Sequence, residues 1–471
     1  MTQERLSRRA LLKGMGGGMA VLALAACASA GQPAPVSESA EATPAEGAPP
    51  VAPAERVDLV MWTAWGGQDD VDRVRIILDE FQELHPGIMV ELTGGGPGGG
   101  DYNELLLTRI AAGNAPDVAS LFTPPVGFAA RGSLDVIDEL MATAEYARPD
   151  KFWQPVLDTC KFRGKTYGLP FSAASYGMFY NVDWFEEAGL PTDRESFPQT
   201  FDELRALSAQ FVAWEGDELK TGGFVPWSEL WTSPAWSGCN GAQWFDSRNE
   251  QYTINDPGNI ALLQYWVGWL DEQYRGDVEY IASLGAWHTG QDGNWFQKVT
   301  PLSQGGAWNT SYSYMKYETA GFRWDVAKFP VGPDGEKSRT AFWPNWFAMP
   351  IGGPHRTESF LLMEYMCTVG MPTWYAEVFD TPAWLDFPDD VITQNLIDNV
   401  GADKALEMHN FFIDYLEDAV EVWTSPIEDF GTDQINRAID QVMHKVKTPQ
   451  EALDEAQQIA QTRLEETLRS L

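Results

Sequence analysis

Two short stretches of the chain combine a tryptophan with small hydroxyl and amide residues. Trp236 lies within Ser233–Gly238, and Trp308 lies within Gly306–Ser311 beside Asn309. A flat indole can cover the C–H face of a sugar ring, while hydroxyl and amide groups bond the hydroxyls at the edge of the ring. These residue types therefore indicate a site that binds a carbohydrate by stacking and hydrogen bonding.

The chain holds 20 tryptophans, so only some of them can serve such a site. The helical stretch 260–270 contains Trp266 and Trp269, which we expect in the hydrophobic core. Nine others fall in the part of the chain that we expect to form a binding cleft: Trp227, Trp231, Trp236, Trp244, Trp287, Trp295, Trp308, Trp343 and Trp346. Among these, Trp236, Trp308 and Trp343 are the preferred ligand contacts.

Other kinds of chemistry find little support in the sequence. The five histidines are scattered without HExxH spacing and no CxxC pair occurs, so we expect neither a metal site nor a cofactor. The acidic cluster Asp69, Asp70 and Asp72 lacks the alternation and glycine of a calcium loop and is interpreted as a solvated face. The run Gly94–Gly100 lacks the lysine and Ser/Thr of a P-loop, which favours a flexible loop over a phosphate site.

The net charge and the length of the chain limit the classes of function and fold that it can have. The chain has 68 acidic and 32 basic residues, a net charge of -36. Nucleic-acid binding depends on basic surface, so this class of function is excluded, and charge alone would not hold the protein on an anionic membrane. The 471 residues, 44% of them apolar, are enough for two lobes with full cores.

The first residues have the layout of an export signal. A basic segment precedes a short apolar run over 14–26, which is too short to span a bilayer. Ser7–Lys13 resembles a twin-arginine export motif, and Leu24–Cys27 resembles a lipobox. We therefore expect a signal peptide over 1–26, a lipidated Cys27, and a disordered Ala/Pro/Gly/Ser/Glu-rich tether over 27–56. The alternative is an ordinary cleaved signal with an incidental cysteine.

The start of the globular body predicts the elements that would position a site. Val57–Trp62 alternates like a strand, and Ile88–Leu92 reads as a second strand. The helix between them places five apolar residues on one face: Val74, Ile77, Leu78, Phe81 and Leu84. This order predicts a parallel crossover, and ligands bind beyond the carboxyl ends of such strands. The turn after the first strand makes Trp62, Trp65 and Gln68 candidate ligand contacts.

Two further helices carry clear start signals. Thr200 and Glu203 form a capping box ahead of a helix with a Leu204, Leu207 and Phe211 face. The last helix begins after Thr448, with proline in its first turn. Its apolar face is Leu453, Ala456, Ala460 and Leu464.

Over nearly its full length the chain resembles the maltose-binding-protein-like group of extracellular solute-binding proteins, family 1, which serve sugar importers. The similar segments, in order, are RIAAGNAPDV at 109–118, FAARGSL at 128–134, YGLP at 167–170, GMFYNVDWFEEAGL at 177–190, FPQTFDEL at 197–204, GGAW at 305–308, FPVGP at 329–333 and TPQEAL at 448–453. None of these motifs alone is specific for the family. Their order along the chain, together with the lipobox, is specific for it.

This resemblance implies an α/β, two-lobe periplasmic-binding-protein-like fold with an interlobe cleft and hinge strands. The N-lobe would comprise 57–168 plus about 329–395, and the C-lobe 169–328 plus about 396–471. Asp117 would lie at a strand end facing the cleft, or merely cap the next segment. Phe342–Trp346 replaces a glycine-rich stretch of the family and so implies a bulkier aromatic wall that includes Trp343 and Trp346. Ser175 and Tyr176 complete the candidate ligand contacts.

The resulting hypothesis is a lipid-anchored receptor on the outer face of the cytoplasmic membrane, or in the periplasm. It would be a monomer that closes on a carbohydrate and delivers it to the permease of an ABC importer. The ATPase would be a separate partner, because no GxxxxGK[ST] motif occurs. Catalysis is not required.

Three alternatives remain open. A polyamine site would also use aromatic residues with carboxylates. An iron site would need an adjacent tyrosine pair, which the sequence lacks. A secreted glycoside hydrolase needs two carboxylates flanking one bond, but the spacing of the acidic residues selects no pair.

Overall fold

A computed structural model describes residues 56–94, 100–388, 391–420 and 424–471. The predicted signal over 1–26, Cys27, nearly all of the tether, and residues 95–99 of the glycine run lie outside the described residues. The strands are β1 Val57–Thr63, β2 Ile88–Gly94, β3 Val118–Leu121, β4 Lys161–Phe162, β5 Lys165–Thr166, β6 Leu169–Pro170, β7 Ala174–Asn181, β8 Ala213–Glu215, β9 Glu218–Thr221, β10 Phe245–Asp246, β11 Gln251–Tyr252, β12 Leu302–Gly306, β13 Trp324–Ala327, β14 Phe342–Trp343 and β15 Trp346–Ala348.

The α-helices range from one turn to six turns in length. They are α1 Gln68–Leu84, α2 Gly100–Ala111, α3 Val126–Ala130, α4 Asp138–Thr143, α5 Gln154–Leu157, α6 Val182–Glu187, α7 Phe201–Phe211, α8 Ser233–Cys239, α9 Pro257–Tyr274, α10 Val278–Ser283, α11 Tyr317–Ala320, α12 Arg356–Cys367, α13 Met371–Tyr375, α14 Gln394–Val400, α15 Ala402–Tyr415, α16 Glu428–Met443 and α17 Pro449–Ser470.

The predicted crossover at the start of the body is confirmed. Strands β1 and β2 pair in parallel over their full length, joined by helix α1. Four of the five expected apolar residues of α1 are buried: Val74, Ile77, Leu78 and Phe81. Leu84 is 65% exposed, contrary to expectation, because it is the last helical residue before the chain turns at His85.

The first sheet has the strand order β2-β1-β3-β15-β6. Strands β1 and β3 are parallel, whereas β15 runs antiparallel to both β3 and β6. The second sheet has the order β12-β7-β13, with β14 also paired to β7. The chain therefore passes from the first sheet to the second between β6 and β7, and returns between β14 and β15.

Two large hydrophobic cores pack the sheets, and the first of them extends onto the second sheet through Phe179, Trp324 and Val326. The first core includes Met61, Phe81 and Phe347, and helices α12 and α13 pack on this side. The second core includes Met178, and Trp266 and Trp269 lie fully within it, as the sequence predicts. Helices α16 and α17 pack on α9 there. The two-lobe α/β fold is thus confirmed, whereas the exact lobe boundaries in the last third remain a prediction.

Both predicted capping boxes are present. The Thr200 hydroxyl accepts from the Glu203 backbone N–H, and the Glu203 carboxylate accepts from the Thr200 N–H. Thr448 and Glu451 make the same reciprocal pair at the start of α17. The expected face of that helix, Leu453, Ala456, Ala460 and Leu464, is buried.

Within the described part of the chain, Cys160, Cys239 and Cys367 are buried free thiols. The helices of that part include none with the length and apolar character needed to cross a bilayer.

Candidate functional site

Loops from both sheets enclose a cavity of about 310 Å³, which we call the aromatic cavity. Its aromatic lining is Trp65, Phe122, Trp308, Tyr312, Trp343 and Trp374. The rest of the lining is Ala64, Gly66, Asp70, Asn345, Val378 and Asp380. The volume falls within the range of about 300–1,000 Å³ that is typical of small-molecule sites.

The first sheet supplies one wall of the aromatic cavity from the carboxyl ends of its parallel strands. Trp65 follows β1, and Phe122 follows β3, where the crossover rule places ligands. The ring centroids of these two residues lie 5.7 Å apart in an edge arrangement. Trp65 also packs against Phe171 and Trp374, with centroids 5.7 Å and 4.9 Å away, so its indole is fixed from several sides.

The second sheet supplies the facing wall through the segment after β12. Trp308 packs there against Tyr176 and Trp231, with ring centroids 5.8 Å and 5.9 Å apart. The ring lies over Gly306, where a Cβ atom would come within 2.2 Å of the indole. Asn309 fixes the turn, because its side-chain oxygen accepts from the Gly306 N–H at 2.9 Å. Only glycine at 306 therefore lets the indole lie where it does.

Asp380 is the most deeply buried carboxyl of the lining, with 3% of its surface exposed. Its Oδ2 accepts from Asn345 Nδ2 over a long 3.4 Å, while its Oδ1 has no hydrogen-bond partner among the described residues. Burial raises the pKa of this carboxyl to about 7. The nearby Ser172, Asn345 and Trp374 side chains oppose this rise, although the Trp374 indole N–H makes no well-formed hydrogen bond. Asp380 Oδ1 and the Trp374 N–H are both available to a ligand.

Asp70 supplies the second carboxyl of the lining. Arg73 pairs with it at 2.7 Å and also donates to Glu377 at 2.6 Å. Burial raises the pKa of Asp70, and the Arg73 guanidinium opposes that rise. The expectation of a fully solvated acidic face is therefore wrong for Asp70, although Asp69 and Asp72 are exposed.

The structure brings three of the predicted ligand contacts together in the aromatic cavity: Trp65, Trp308 and Trp343. Asn309 lies directly behind them as the residue that shapes the Gly306 turn. Three other predicted contacts lie outside the lining but beside these elements. Ser175 donates to the Phe412 carbonyl, Tyr176 packs on Trp308, and Gln68 is exposed and bonds Asp72.

Three of the remaining predicted contacts lie in the interior, and Asp117 is half-buried. Trp62 packs against Tyr102 with ring centroids 5.1 Å apart, because alternation along β1 turns it away from the Trp65 side. Trp236 is fully buried on α8 and donates to Gln304. Trp346 donates to Thr159, and Asp117 accepts from the backbone N–H of Val60 in the middle of β1. None of these four lines the aromatic cavity in this conformation.

Sequence reasoning missed six of the nine polar and aromatic lining residues, Phe122 among them. Asp70, Tyr312, Asn345, Trp374 and Asp380 come from five separate segments. Asn345 had a usable signal, since it lies within the aromatic segment Phe342–Trp346. The pair Trp374 and Asp380 carried no motif, because only the packing of α13 on α1 brings them to the cavity.

The described residues include no group of three His, Cys, Asp or Glu side chains placed to hold a metal ion. The chemistry available at the cavity is that of aromatic faces, two carboxyls, one amide, the Tyr312 hydroxyl and the Trp374 indole N–H. Such a set can stack on a ligand and accept hydrogen bonds from it.

Comparison with known proteins gives a family match over most of the body. The model of the family described as bacterial extracellular solute-binding protein matches residues 71–369. A maltotriose-binding protein from Pyrococcus abyssi (strain GE5 / Orsay) is 26% identical over 255 residues, which are 54% of this chain and 49% of that one. The chain thus spans about half the length of this relative.

Two further matches extend over more of the chain. An arabinooligosaccharide-binding protein from Bacillus subtilis (strain 168) is 23% identical over 426 residues, 85% of this chain and 90% of the other. The solved structure of CpMnBP1 with mannotriose bound superimposes with a TM-score of 0.72 at 20% identity, covering 85% of this chain and 99% of that one. At this identity the structural likeness establishes the fold.

Proposed function

Because the chain belongs to the family of bacterial extracellular solute-binding proteins, we propose that it captures a carbohydrate in the aromatic cavity. The observation that carries this proposal is the lining itself. Trp65 and Trp308 reach the cavity from the two sheets, and the Asp380 carboxyl has an oxygen free to accept a ligand hydroxyl. Indole faces cover the C–H face of a sugar, and buried acceptors select its hydroxyls.

The names of several relatives agree with this ligand class, although others are named for sn-glycerol-3-phosphate. Proteins described as binding maltotriose, arabinooligosaccharide and mannotriose are among the matches. The shared class is a neutral oligosaccharide. We propose a sugar or short oligosaccharide of this class, held in a cleft whose two walls close on it through the β6–β7 and β14–β15 crossings.

We propose further that the protein acts as a receptor and not as an enzyme, handing its ligand to an ABC permease with a separate ATPase. The sequence supports a twin-arginine or related export signal over 1–26 and a lipid anchor on Cys27. The protein would then lie on the outer face of the membrane or in the periplasm, as a monomer.

Tryptophan fluorescence and calorimetric titration of the purified protein test the ligand class. The probes are mannotriose, maltotriose, cellotriose and arabinotriose, with the corresponding monosaccharides. A saturable change at micromolar concentration or below supports the proposal. Binding to none of the sugars overturns it, and release of smaller sugars during the titration would instead indicate a hydrolase.

A polyamine is the second candidate ligand, because two carboxyls line an aromatic cavity. Spermidine and putrescine in the same titration separate the two candidates. If spermidine binds saturably and no sugar binds, the ligand is a polyamine and not a carbohydrate. The fold assignment is unaffected by this result.

The matched control for the cavity is Trp214→Ala. This indole lies on the β8–β9 hairpin outside the lining, with the Arg275 guanidinium 3.9 Å above its ring. Its removal changes the total fluorescence but should leave ligand affinity unchanged.

A further inference from the structure

The aromatic cavity contains a buried carboxyl that has no cation beside it. Asp380 is 3% exposed, and its Oδ1 has no hydrogen-bond partner among the described residues. A buried polar atom without a partner is uncommon in folded proteins and points to a group that arrives later. A ligand atom that donates a hydrogen bond would satisfy this oxygen.

The charged side chains of the cavity lining are all acidic. The described residues of its lining include two carboxyls and no lysine, arginine or histidine. Arg73, behind the lining, is already shared between Asp70 and Glu377. The burial that raises the Asp380 pKa to about 7 is the same desolvation that would strengthen repulsion of a second negative charge in the cavity.

We propose, building on the carbohydrate function above, that Asp380 makes the aromatic cavity select its sugar by charge. Sugars that place a hydroxyl or a protonated amine against Asp380 are accepted, whereas sugars that bear a carboxylate or a phosphate are excluded. Asp380 is thus a specificity-determining residue, and its role is separate from the stacking by Trp308 and Trp343.

The two accepted groups differ in charge and in their number of hydrogen-bond donors. A hydroxyl gives Asp380 Oδ1 a neutral donor, and an ammonium gives it a charged donor, which forms the stronger hydrogen bond. At pH 8, where Asp380 is ionised, a carboxylate or phosphate gives it no donor and places two like charges in a water-poor space, which costs affinity. The rejection of anions is therefore the sharper consequence of this geometry.

The test compares trisaccharides that differ in charge, by calorimetry with the full-length protein at pH 8. The neutral probes are mannotriose, cellotriose and maltotriose, the cationic probe is the glucosamine trisaccharide, and the anionic probes are trimannuronate and cellotriuronate. We expect each anionic probe to bind at least tenfold more weakly than its neutral counterpart. Anionic probes that bind within threefold of the neutral ones overturn the charge selection while leaving the carbohydrate function standing.

Variants at position 380 test whether the Asp380 side chain causes the charge selection. Asp380→Asn keeps the size of the residue and removes its charge, so the penalty on the anionic probes should fall at least threefold. Asp380→Glu keeps the charge and should keep the penalty. Asp79→Asn, an exposed acidic residue on α1 outside the lining, is the matched control and should change nothing.

Two results would contradict the assignment. The first is an Asp380→Asn variant that is folded, as judged by circular dichroism, but still binds the anionic probes as weakly as the wild type does. This result would show that Asp380 does not cause the charge selection. If the variant does not fold, the comparison of probes on the wild-type protein still decides the charge selection. Failure of every neutral and cationic trisaccharide to bind overturns the carbohydrate function, and this inference falls with it.

Discussion

The indole rings of Trp65 and Trp374 lie with their centroids 4.9 Å apart, and both line the aromatic cavity. Trp65 follows the first strand, whereas Trp374 belongs to α13, some three hundred residues later in the chain. One wall of the cavity is therefore a product of long-range packing. Phe171 packs edge-on against both rings, which stiffens that wall before a ligand arrives.

Removing either indole of the opposite wall should weaken sugar binding. We expect Trp308→Ala and Trp343→Ala to lose about 2 kcal/mol of binding free energy each, roughly thirtyfold in Kd, because each removes a stacking face. Calorimetry with the tightest sugar of the panel measures the loss. Unchanged affinity in both variants, with Trp214→Ala as the reference, would show that the ligand binds elsewhere.

The orientation of Trp308 should matter as much as its presence. Gly306→Ala places a methyl group within 2.2 Å of the indole, so the ring must move. We expect an affinity loss close to that of Trp308→Ala, although no aromatic residue has been removed. Gly87→Ala, in a turn outside the lining where an added Cβ meets nothing within 4 Å, controls for the general cost of replacing a glycine. Normal binding by Gly306→Ala would mean that ligand binding does not depend on the position of the Trp308 ring.

Ionisation of Asp380 should make the protein less stable as the pH rises. Burial raises its folded-state pKa from 3.8 to about 7, so the folded protein holds this proton up to a higher pH than the unfolded chain does. The resulting stability is fully present below pH 4 and is lost as the pH rises through 7. Its size is about 4 kcal/mol.

Urea unfolding at pH 5 and pH 8 measures this effect as a difference between variants. Asp380→Asn cannot ionise, so its free energy of unfolding should fall less between the two pH values than that of the wild type. Asp79→Asn should follow the wild type. Parallel pH profiles for wild type and Asp380→Asn would contradict a raised pKa at this site.

We expect Asp325 to contribute strongly to the stability of the second lobe. Its side chain is 5% exposed, and it pairs with Arg194 at 2.6 Å and with Lys404. Removing one partner of a buried pair leaves charge uncompensated, so we expect Asp325→Ala to lower the free energy of unfolding by about 3 kcal/mol. Asp217→Asn, whose pair with Arg275 is exposed, should change stability little. Similar losses in both variants would indicate that burial of the pair has no special effect.

Cys27 should carry the membrane anchor. Cys27→Ser removes the thiol that would be acylated, so the protein should leave the membrane fraction and lose incorporation of labelled palmitate. Cell fractionation with metabolic labelling measures both. Cys239→Ser, a buried cysteine of the body, should still label. Retention of label by Cys27→Ser would place the lipid elsewhere or exclude it.

Local sequence determined the elements that depend on near neighbours. The β1–α1–β2 crossover follows from alternation and helical periodicity within the short segment Val57–Gly94. The Thr200 and Thr448 capping boxes follow from residues three positions apart. The turn after β1 was predicted as a ligand position for the same reason, and Trp65 lines the aromatic cavity there.

The sequence could not tell which tryptophans face a ligand. Trp236 and Trp308 sit in similar settings of serine, glycine and small residues, yet Trp236 is buried on α8 and Trp308 lines the cavity. An indole suits a core and a binding site equally, because both bury its faces. The difference arises from what lies opposite each ring after the two sheets have packed.

Composition, local periodicity and ordered motifs thus determined the family, the two-lobe fold and the export signal that we propose. Tertiary structure alone decided that Asp70 and Asp380 share a cavity with Trp65 and Trp374, and that Asp380 Oδ1 has no hydrogen-bond partner among the described residues. The physical reason is that burial and charge at a site depend on contacts between distant segments, and a carboxyl in a sequence carries no mark of whether it will be exposed or enclosed.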